Sequence, residues 1–232
     1  MEVPMHSTYK GQISESRRLA VILAISGGLM DAYTYIFRGG VFANAQTGNI
    51  LLFGVKLSEG NWGEALRYFF PVLAFALGII LAEIARHFCT EGSIFHWRQL
   101  SVLLECIILF AVGFIPTTYN LPANALVSFA CGIQVESFRK VKGNASATTM
   151  CIGNLRSGTQ AIFDFAFSKK KKFLHKGLTY YGIILSFIIG AIIGNVLIKY
   201  SSQRAIWCSS ILLFIGFLLM FIQSEENSSG PS

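Results

Sequence analysis

The stretch GGVFANAQTGNI, residues 39–50, interrupts an otherwise apolar part of the chain and decides which fold the sequence predicts. Amide and hydroxyl side chains are concentrated in it, with glycines nearby: Asn44, Gln46, Thr47 and Asn49. Such a segment cannot be a plain lipid-facing helix, because polar groups at membrane depth need partners. We therefore expect a broken membrane segment that is buried in protein or faces a watery cavity.

The composition places the chain among membrane proteins. It has 232 residues, of which 53% are apolar and only 13% are charged, which is too apolar for an ordinary soluble domain. Its apolar blocks are about as long as membrane-spanning helices and are separated by polar or basic residues. We predict an all-α membrane protein with six transmembrane helices, at residues 19–37, 66–88, 100–115, 123–138, 178–200 and 205–222. Two further segments, 41–57 and 145–167, are apolar but broken by Gly, Asn, Thr and Ser.

A comparison of the chain with itself indicates an internal repeat. A shift of 105 residues places Asp31 on Glu136 and the Gly-Asn pair at 48–49 on the pair at 153–154. A shift of 112 residues places Gly78 on Gly190. These matches divide the chain into an amino-terminal tail (1–18), a first membrane repeat (19–118), a second membrane repeat (119–222) and a polar tail (223–232).

The distribution of basic residues favours one topology. If all eight segments cross the membrane, 10 basic residues lie inside and 8 outside, with Arg156 left within the membrane. If the two broken segments do not cross, 14 lie inside and 5 outside. Positive residues are enriched on the cytoplasmic side, so the second topology is preferred, with both termini cytoplasmic. Each half then crosses three times and the repeats are inverted, an arrangement typical of secondary transporters.

The broken segments supply the candidate ligands for a solute. We predict a polar site near the membrane midplane, formed by both halves of the chain. Its members are Asn44, Gln46, Thr47, Gly48, Asn49, Thr148, Thr149, Gly153 and Asn154. The alternative is that these residues only pack the helices, since small and polar residues also hold membrane helices together.

Two acidic residues in apolar helices, Asp31 and Glu136, are candidate proton or cation sites, because ionisable groups at membrane depth are costly and usually functional. The alternative is an interfacial carboxylate paired with Arg38, Arg139 or Arg156. Arg156 is also a candidate charge partner for a membrane acid or an anionic solute. Glu105 is a weaker candidate than these acids, because no repeat partner supports it.

The run GGLMDAYTYIFRGGVFANAQTGN, residues 27–49, resembles the signature of the YoaK-like bacterial membrane proteins, a family catalogued as a domain of unknown function. The matching residues of the first half are Gly28, Asp31, Phe42, Asn44, Thr47, Gly48 and Asn49. In the second half Thr148, Thr149, Gly153 and Asn154 fit, but Ile152 replaces the last Thr of the motif. The resemblance implies a multi-pass protein of the bacterial cytoplasmic membrane and supplies no substrate.

The sequence contains no Walker loop, HExxH or GxSxG motif, and its five cysteines lack metal-site spacing. We therefore expect no enzyme activity, metal or cofactor, and no nucleic-acid partner, since topology explains the net charge of +7. The predicted function is a secondary transporter or channel-like permease for a small solute or ion. A membrane scaffold or accessory subunit is the alternative. With so few helices, the pathway lies either within one protomer or between the two protomers of a homodimer.

Overall fold

The computed structural model describes residues 16–88, 97–141, 144–145 and 148–228. Residues 1–15 and 229–232 of the two predicted tails, and Cys89, lie outside the described residues. The regular secondary structure of the described residues is helical apart from two short antiparallel strands, β1 (Lys140–Val141) and β2 (Asn144–Ala145). The helices are α1 (Arg17–Ala32), α2 (Gln46–Ser58), α3 (Trp62–Phe88), α4 (Trp97–Val112), α5 (Asn120–Ser137), α6 (Cys151–Ser168), α7 (Lys171–Ser201) and α8 (Trp207–Ser228).

Helix α1 begins and ends at recognisable signals. The Ser16 hydroxyl accepts a hydrogen bond from the Leu19 N–H at 3.2 Å, which satisfies one of the free amides of the first turn. The last turn widens into a π-helix over Tyr33–Phe37. Gly39 and Gly40 follow with φ of 91° and 80°, a region that glycine adopts readily. The chain therefore reverses direction at the point where the sequence predicts that the first spanning helix ends.

Two helix pairs, α1 with α7 and α3 with α5, make the most extensive contacts of the described fold. Both crossings depend on glycine. A Cβ at Gly190 would lie 2.7 Å from the Ile25 carbonyl carbon, and a Cβ at Gly78 would lie 3.1 Å from that of Phe129. Gly28 and Gly132 face the opposite helices just as closely. Small residues let the backbones approach at these positions, as is common between membrane helices.

The other helices surround these pairs in matching positions. Helix α2 packs on α3 and α6 packs on α7, while α8 contacts α1 and α4 contacts α5. Helices α4 and α8 meet where the Ser210 hydroxyl donates to the Cys106 carbonyl at 2.8 Å. The main apolar cluster lies between α1, α4, α5 and α8 and includes Leu23, Leu109, Val127 and Leu213.

Each broken segment forms a loop followed by a helix. The loop 38–45 runs back along α1, and the Asn44 side-chain amide donates to the Gly27 carbonyl at 3.2 Å, near the middle of that helix. Helix α2 then leads to the start of α3, where Arg67 donates to the Gly39 carbonyl. Loop 38–45 and α2 together therefore start and end beside the carboxyl end of α1, and the loop reaches the middle of that helix.

Arg38 fixes the end of α1 to the turn between α4 and α5. Its side chain is fully buried. Its guanidinium donates to the carbonyls of Ile115 at 2.7 Å and of Val112 and Pro116 at 3.2 Å. Free carbonyls at a helix carboxyl end carry partial negative charge, which stabilises the buried cation. Arg38 is therefore bound by carbonyls at the end of α4 and in the turn that follows, and its hydrogen bonds do not include Asp31.

Three stretches of the described chain are long and apolar enough to cross a membrane, Arg17–Phe37, Trp62–Phe88 and Lys171–Phe221. The last contains both α7 and α8, which a short 3₁₀ turn at Ser202–Ile206 separates. Large apolar side chains are exposed along these helices, including Leu77, Ile84, Leu185 and Phe214. A surface of this kind belongs in lipid, because a soluble protein rarely exposes so large an apolar area.

Candidate functional site

A cavity of about 880 Å³ lies where the two broken segments meet helices α1 and α7. Its volume is in the range of small-molecule sites, roughly 300–1,000 Å³. Polar side chains form part of the wall: Asp31, Asn44, Gln46, Thr47, Thr149 and Asn195. Aromatic and aliphatic side chains form much of the remainder, including Tyr35, Phe42, Phe75, Phe187, Ile188 and Ile192. The structure thus brings five of the predicted site residues to one cavity.

Asp31 holds the first broken segment against α1. Its carboxylate Oδ1 accepts a hydrogen bond from the Asn44 N–H at 2.7 Å. The backbone amides of Ala43 and Ala45 also lie close to the carboxylate. Among the described residues that line the cavity, Asp31 is the one acidic residue, and no Lys, Arg or His is present. The buried acid therefore serves two purposes, since it binds the loop and gives the cavity its negative charge.

Two buried oxygen atoms in the cavity wall lack a hydrogen-bond partner within the described part of the chain. They are Oδ1 of Asn44 and the hydroxyl oxygen of Thr149. Both side chains are 4% exposed. Buried polar atoms are nearly always satisfied by protein or water. Each broken segment thus places one buried oxygen with unused hydrogen-bonding capacity beside the cavity.

Asn49 and Gly48 shape the first segment and do not line the cavity. The Asn49 side chain accepts from the Phe42 N–H at 3.0 Å, and its amide donates to the Phe42 carbonyl at 2.7 Å. It also donates to the Gln46 side-chain oxygen at 2.8 Å. A Cβ at Gly48 would lie 2.7 Å from the Phe42 ring. These contacts favour the packing interpretation for Asn49 and Gly48, whereas Gln46 and Thr47 reach the cavity wall.

The second segment contributes fewer of its predicted residues. Thr149 lines the cavity, but Thr148 is turned toward α5, where its hydroxyl accepts from the Gln134 amide at 3.4 Å. Asn154 is buried and Arg156 is exposed, and neither belongs to the cavity wall. Gly153 faces open space. The proposed roles of Thr148, Gly153, Asn154 and Arg156 in solute binding therefore gain no support from the geometry.

Glu136 also lies outside the cavity. Its carboxylate pairs with Arg139 at 2.9 Å, beside the ion pair of Glu83 with Arg86. The reason is its register: Gly28 and Gly132 occupy equivalent crossings and are 104 residues apart, one fewer than the shift that places Asp31 on Glu136. One residue turns a helical side chain by roughly 100°. Glu136 therefore does not point in the direction that corresponds to Asp31.

Glu105 deserves more weight than its sequence context suggested. Its side chain is fully buried in α4, and neither carboxylate oxygen has a hydrogen-bond partner within the described residues. The sequence signal for a buried acid was the position of Glu105 in the middle of an apolar helix. Glu105 was nevertheless the weaker candidate, because the second half has no acidic counterpart to it.

The comparisons with known proteins identify the family. The sequence matches the family described as protein of unknown function DUF1275 over residues 19–219. The chain belongs to this family. It is also 26% identical over 206 residues to the UPF0700 transmembrane protein YoaK of Bacillus subtilis (strain 168), covering 84% of this chain and 90% of that protein. No solved structure matches.

Membership of the DUF1275 family confirms the resemblance and the membrane class that the sequence predicted. The matched region runs from the start of α1 into α8 and includes all residues that line the cavity. Because the activity of the family is unknown, its name assigns no substrate. Function must be inferred from the site itself.

Proposed function

We propose that this DUF1275 protein is a small secondary transporter or channel-like permease whose solute site is the cavity at the two broken segments. The observation that carries the proposal is the convergence of Asp31, Asn44 and Thr149 on one cavity from separate parts of the chain. Helix packing alone does not require a cavity of about 880 Å³. Irregular backbone at membrane depth is tolerated where it is buried or lines such a space.

The proposed topology has six crossings, two re-entrant segments and two inverted halves. The matched crossings support it, because α1 pairs with α7 of the other half in the way that α5 pairs with α3. The return of loop 38–45 to the middle of α1 supports a re-entrant first segment. With both termini inside, the cytoplasmic side then holds 14 of the 19 Lys and Arg residues. This orientation follows the positive-inside tendency.

In the proposed mechanism Asp31 links solute binding to the position of the first segment. The carboxylate that faces the cavity also binds the Asn44 N–H. A proton or cation bound to it competes with the loop amides for the same negative charge, because both are attracted by the carboxylate oxygens. Rocking of one half against the other would then expose the cavity alternately to each side. Glu136 has no role in this mechanism.

Two native cysteines provide a test of water access. Cys151 lines the cavity, whereas Cys106 lies at the contact of α4 with α8; both thiols are free and half-buried. We would prepare one variant that retains only Cys151 and another that retains only Cys106, and treat each with a membrane-impermeant thiol reagent from either side of the membrane. We expect rapid labelling of Cys151 and slow labelling of Cys106. Equal protection of both thiols in folded protein would contradict a water-accessible cavity.

Transport itself is tested with purified protein in liposomes under an imposed proton or cation gradient. Solute uptake by the native protein that is lost in the Asp31→Asn variant would support the permease. Folded protein that moves no candidate solute would favour the alternative, a membrane scaffold or accessory subunit. The observation that favours this alternative is the hydrogen bonding of Asn49, which is directed within its own segment.

A further inference from the structure

We propose, on the basis of the function proposed above, that the cavity binds an organic cation with an apolar body. The sign of the charge comes from Asp31, since the described residues of the cavity wall include no Lys, Arg or His to balance it. A buried carboxylate without a basic partner attracts a cationic ligand most strongly where the surroundings exclude water. An inorganic anion or a carboxylate solute would be repelled by the same site.

The apolar walls of the cavity indicate the size and polarity of the uncharged part of the ligand. The Phe42, Phe75 and Phe187 side chains line the cavity, and Tyr35 stacks on Phe42 with ring centroids 4.7 Å apart. Aromatic faces attract cations and also bury apolar surface. A bare metal ion would leave most of a cavity of about 880 Å³ unfilled. The apolar walls therefore favour a ligand of drug-like size over an inorganic cation.

The cavity opens toward the outer surface of the bundle. Ile152 and Ile192 belong to its wall and are 78% and 59% exposed. In a bilayer this apolar side of the cavity faces the acyl chains, so an amphiphilic cation could enter from the membrane as well as by the aqueous route that the labelling of Cys151 tests. An acyl chain could also enter from the membrane, but it would leave the charge of Asp31 without a partner.

A pair of ions with similar shape and opposite charge tests the proposal. We would measure binding of tetraphenylphosphonium and of tetraphenylborate to the full chain in nanodiscs, with empty nanodiscs as the blank. We expect binding of the cation to be at least about tenfold tighter than binding of the anion, and Asp31→Asn to remove this preference. Glu136→Gln is the matched control, because it removes a carboxylate that lies outside the cavity, and we expect native binding.

The location of the probe is tested in the native protein. Tetraphenylphosphonium should slow the labelling of Cys151, which lines the cavity, whereas tetraphenylborate at the same concentration should not. This measurement does not depend on the folding of Asp31→Asn. Equal binding of the two ions, or no protection of Cys151 by the cation, would overturn the proposal and would indicate an acyl-chain site.

Failure of this inference can be distinguished from failure of the proposed function. Cation-selective binding without transport in liposomes would retain the ligand class and reject the permease. Gradient-driven uptake of a neutral or anionic solute, without selective binding of tetraphenylphosphonium, would retain the permease and reject the ligand class.

Discussion

The two halves of the molecule share a frame of helix crossings but differ in how their broken segments are fixed. In the frame, Gly28 with Gly190 and Gly132 with Gly78 allow the same close approach of helices. In the first segment the Asp31 carboxylate and the Asn49 side chain bind backbone groups directly. In the second, the Gln134 amide donates to the Thr148 hydroxyl at 3.4 Å, and the buried Asn154 also has a partner.

The glycine-mediated helix crossings occur in both halves, whereas the acidic residue of the cavity occurs only in the first half. The offset of 104 residues between the equivalent glycines puts Val135 at the position of Asp31. The second half thus has an apolar residue where the first has its cavity acid. A site between two similar halves can therefore be electrically asymmetric, which suits a ligand with one charged end.

The largest loss of stability is expected from substitutions of the glycines at the two helix crossings. Gly78→Ala and Gly190→Ala would each push a methyl group against a carbonyl of the facing helix. We expect each to lower the free energy of unfolding by about 3 kcal/mol, at the upper end of the usual cost of overpacking. The measurement is the thermal transition of purified protein in one detergent. Similar losses in both variants would support an equivalent role of the two crossings.

Gly182→Ala is the control for this pair. It also lies in α7, but a Cβ there would meet no atom within 4 Å. We expect no loss of stability, because alanine favours helix by up to about 1 kcal/mol relative to glycine. A severe loss in only one of Gly78→Ala and Gly190→Ala would contradict the equivalence of the crossings.

Substitutions in the two broken segments are expected to cause smaller losses of stability, and the loss should be larger in the first segment than in the second. Asn49→Ala leaves the Phe42 N–H and carbonyl without their side-chain partner. We expect a loss of about 2 kcal/mol, since unsatisfied buried groups cost about 1–3 kcal/mol. Thr148→Val removes one hydrogen bond of 3.4 Å, and we expect less than about 1 kcal/mol. Thermal transitions measured side by side check the order.

The result also separates the two candidate functions. A loss of stability in Asn49→Ala with unchanged ligand binding in the remaining folded protein would confirm a packing role for this residue. A larger loss in Thr148→Val than in Asn49→Ala would reverse the comparison between the segments.

The helices and the two interruptions could be predicted from the sequence, because apolar blocks and Gly-rich breaks are local signals. Helix α1 through Phe37 and helix α3 to Phe88 end where the sequence predicts. Helix α8 continues to Ser228, six residues beyond the predicted end of the last spanning segment at residue 222. Asp31, Asn44 and Thr149, which line the cavity, also stand out in the sequence, since polar residues in apolar surroundings are conspicuous.

The direction of each side chain could not be predicted, because it depends on register and on loop geometry. Asn49 and Gln46 belong to the same short motif, yet only Gln46 reaches the cavity. A one-residue difference in the repeat offset separates Glu136 from the position equivalent to Asp31. The burial of Arg38 depends on carbonyls at the end of α4 and in the turn that follows, more than 70 residues away in the chain.

The smallest effect is expected from Glu136→Gln. The carboxylate is 12% exposed, but its partner Arg139 is 50% exposed, and ion pairs of this kind contribute about 0–1 kcal/mol. Arg139 also lies 3.6 Å from Glu83, so the guanidinium keeps a partner after the change. We therefore expect a change in unfolding free energy below about 1 kcal/mol and native uptake in liposomes. If Glu136→Gln abolished gradient-driven uptake while Asp31→Asn left it intact, the carboxylate needed for transport would lie in the second half of the chain and not in the first.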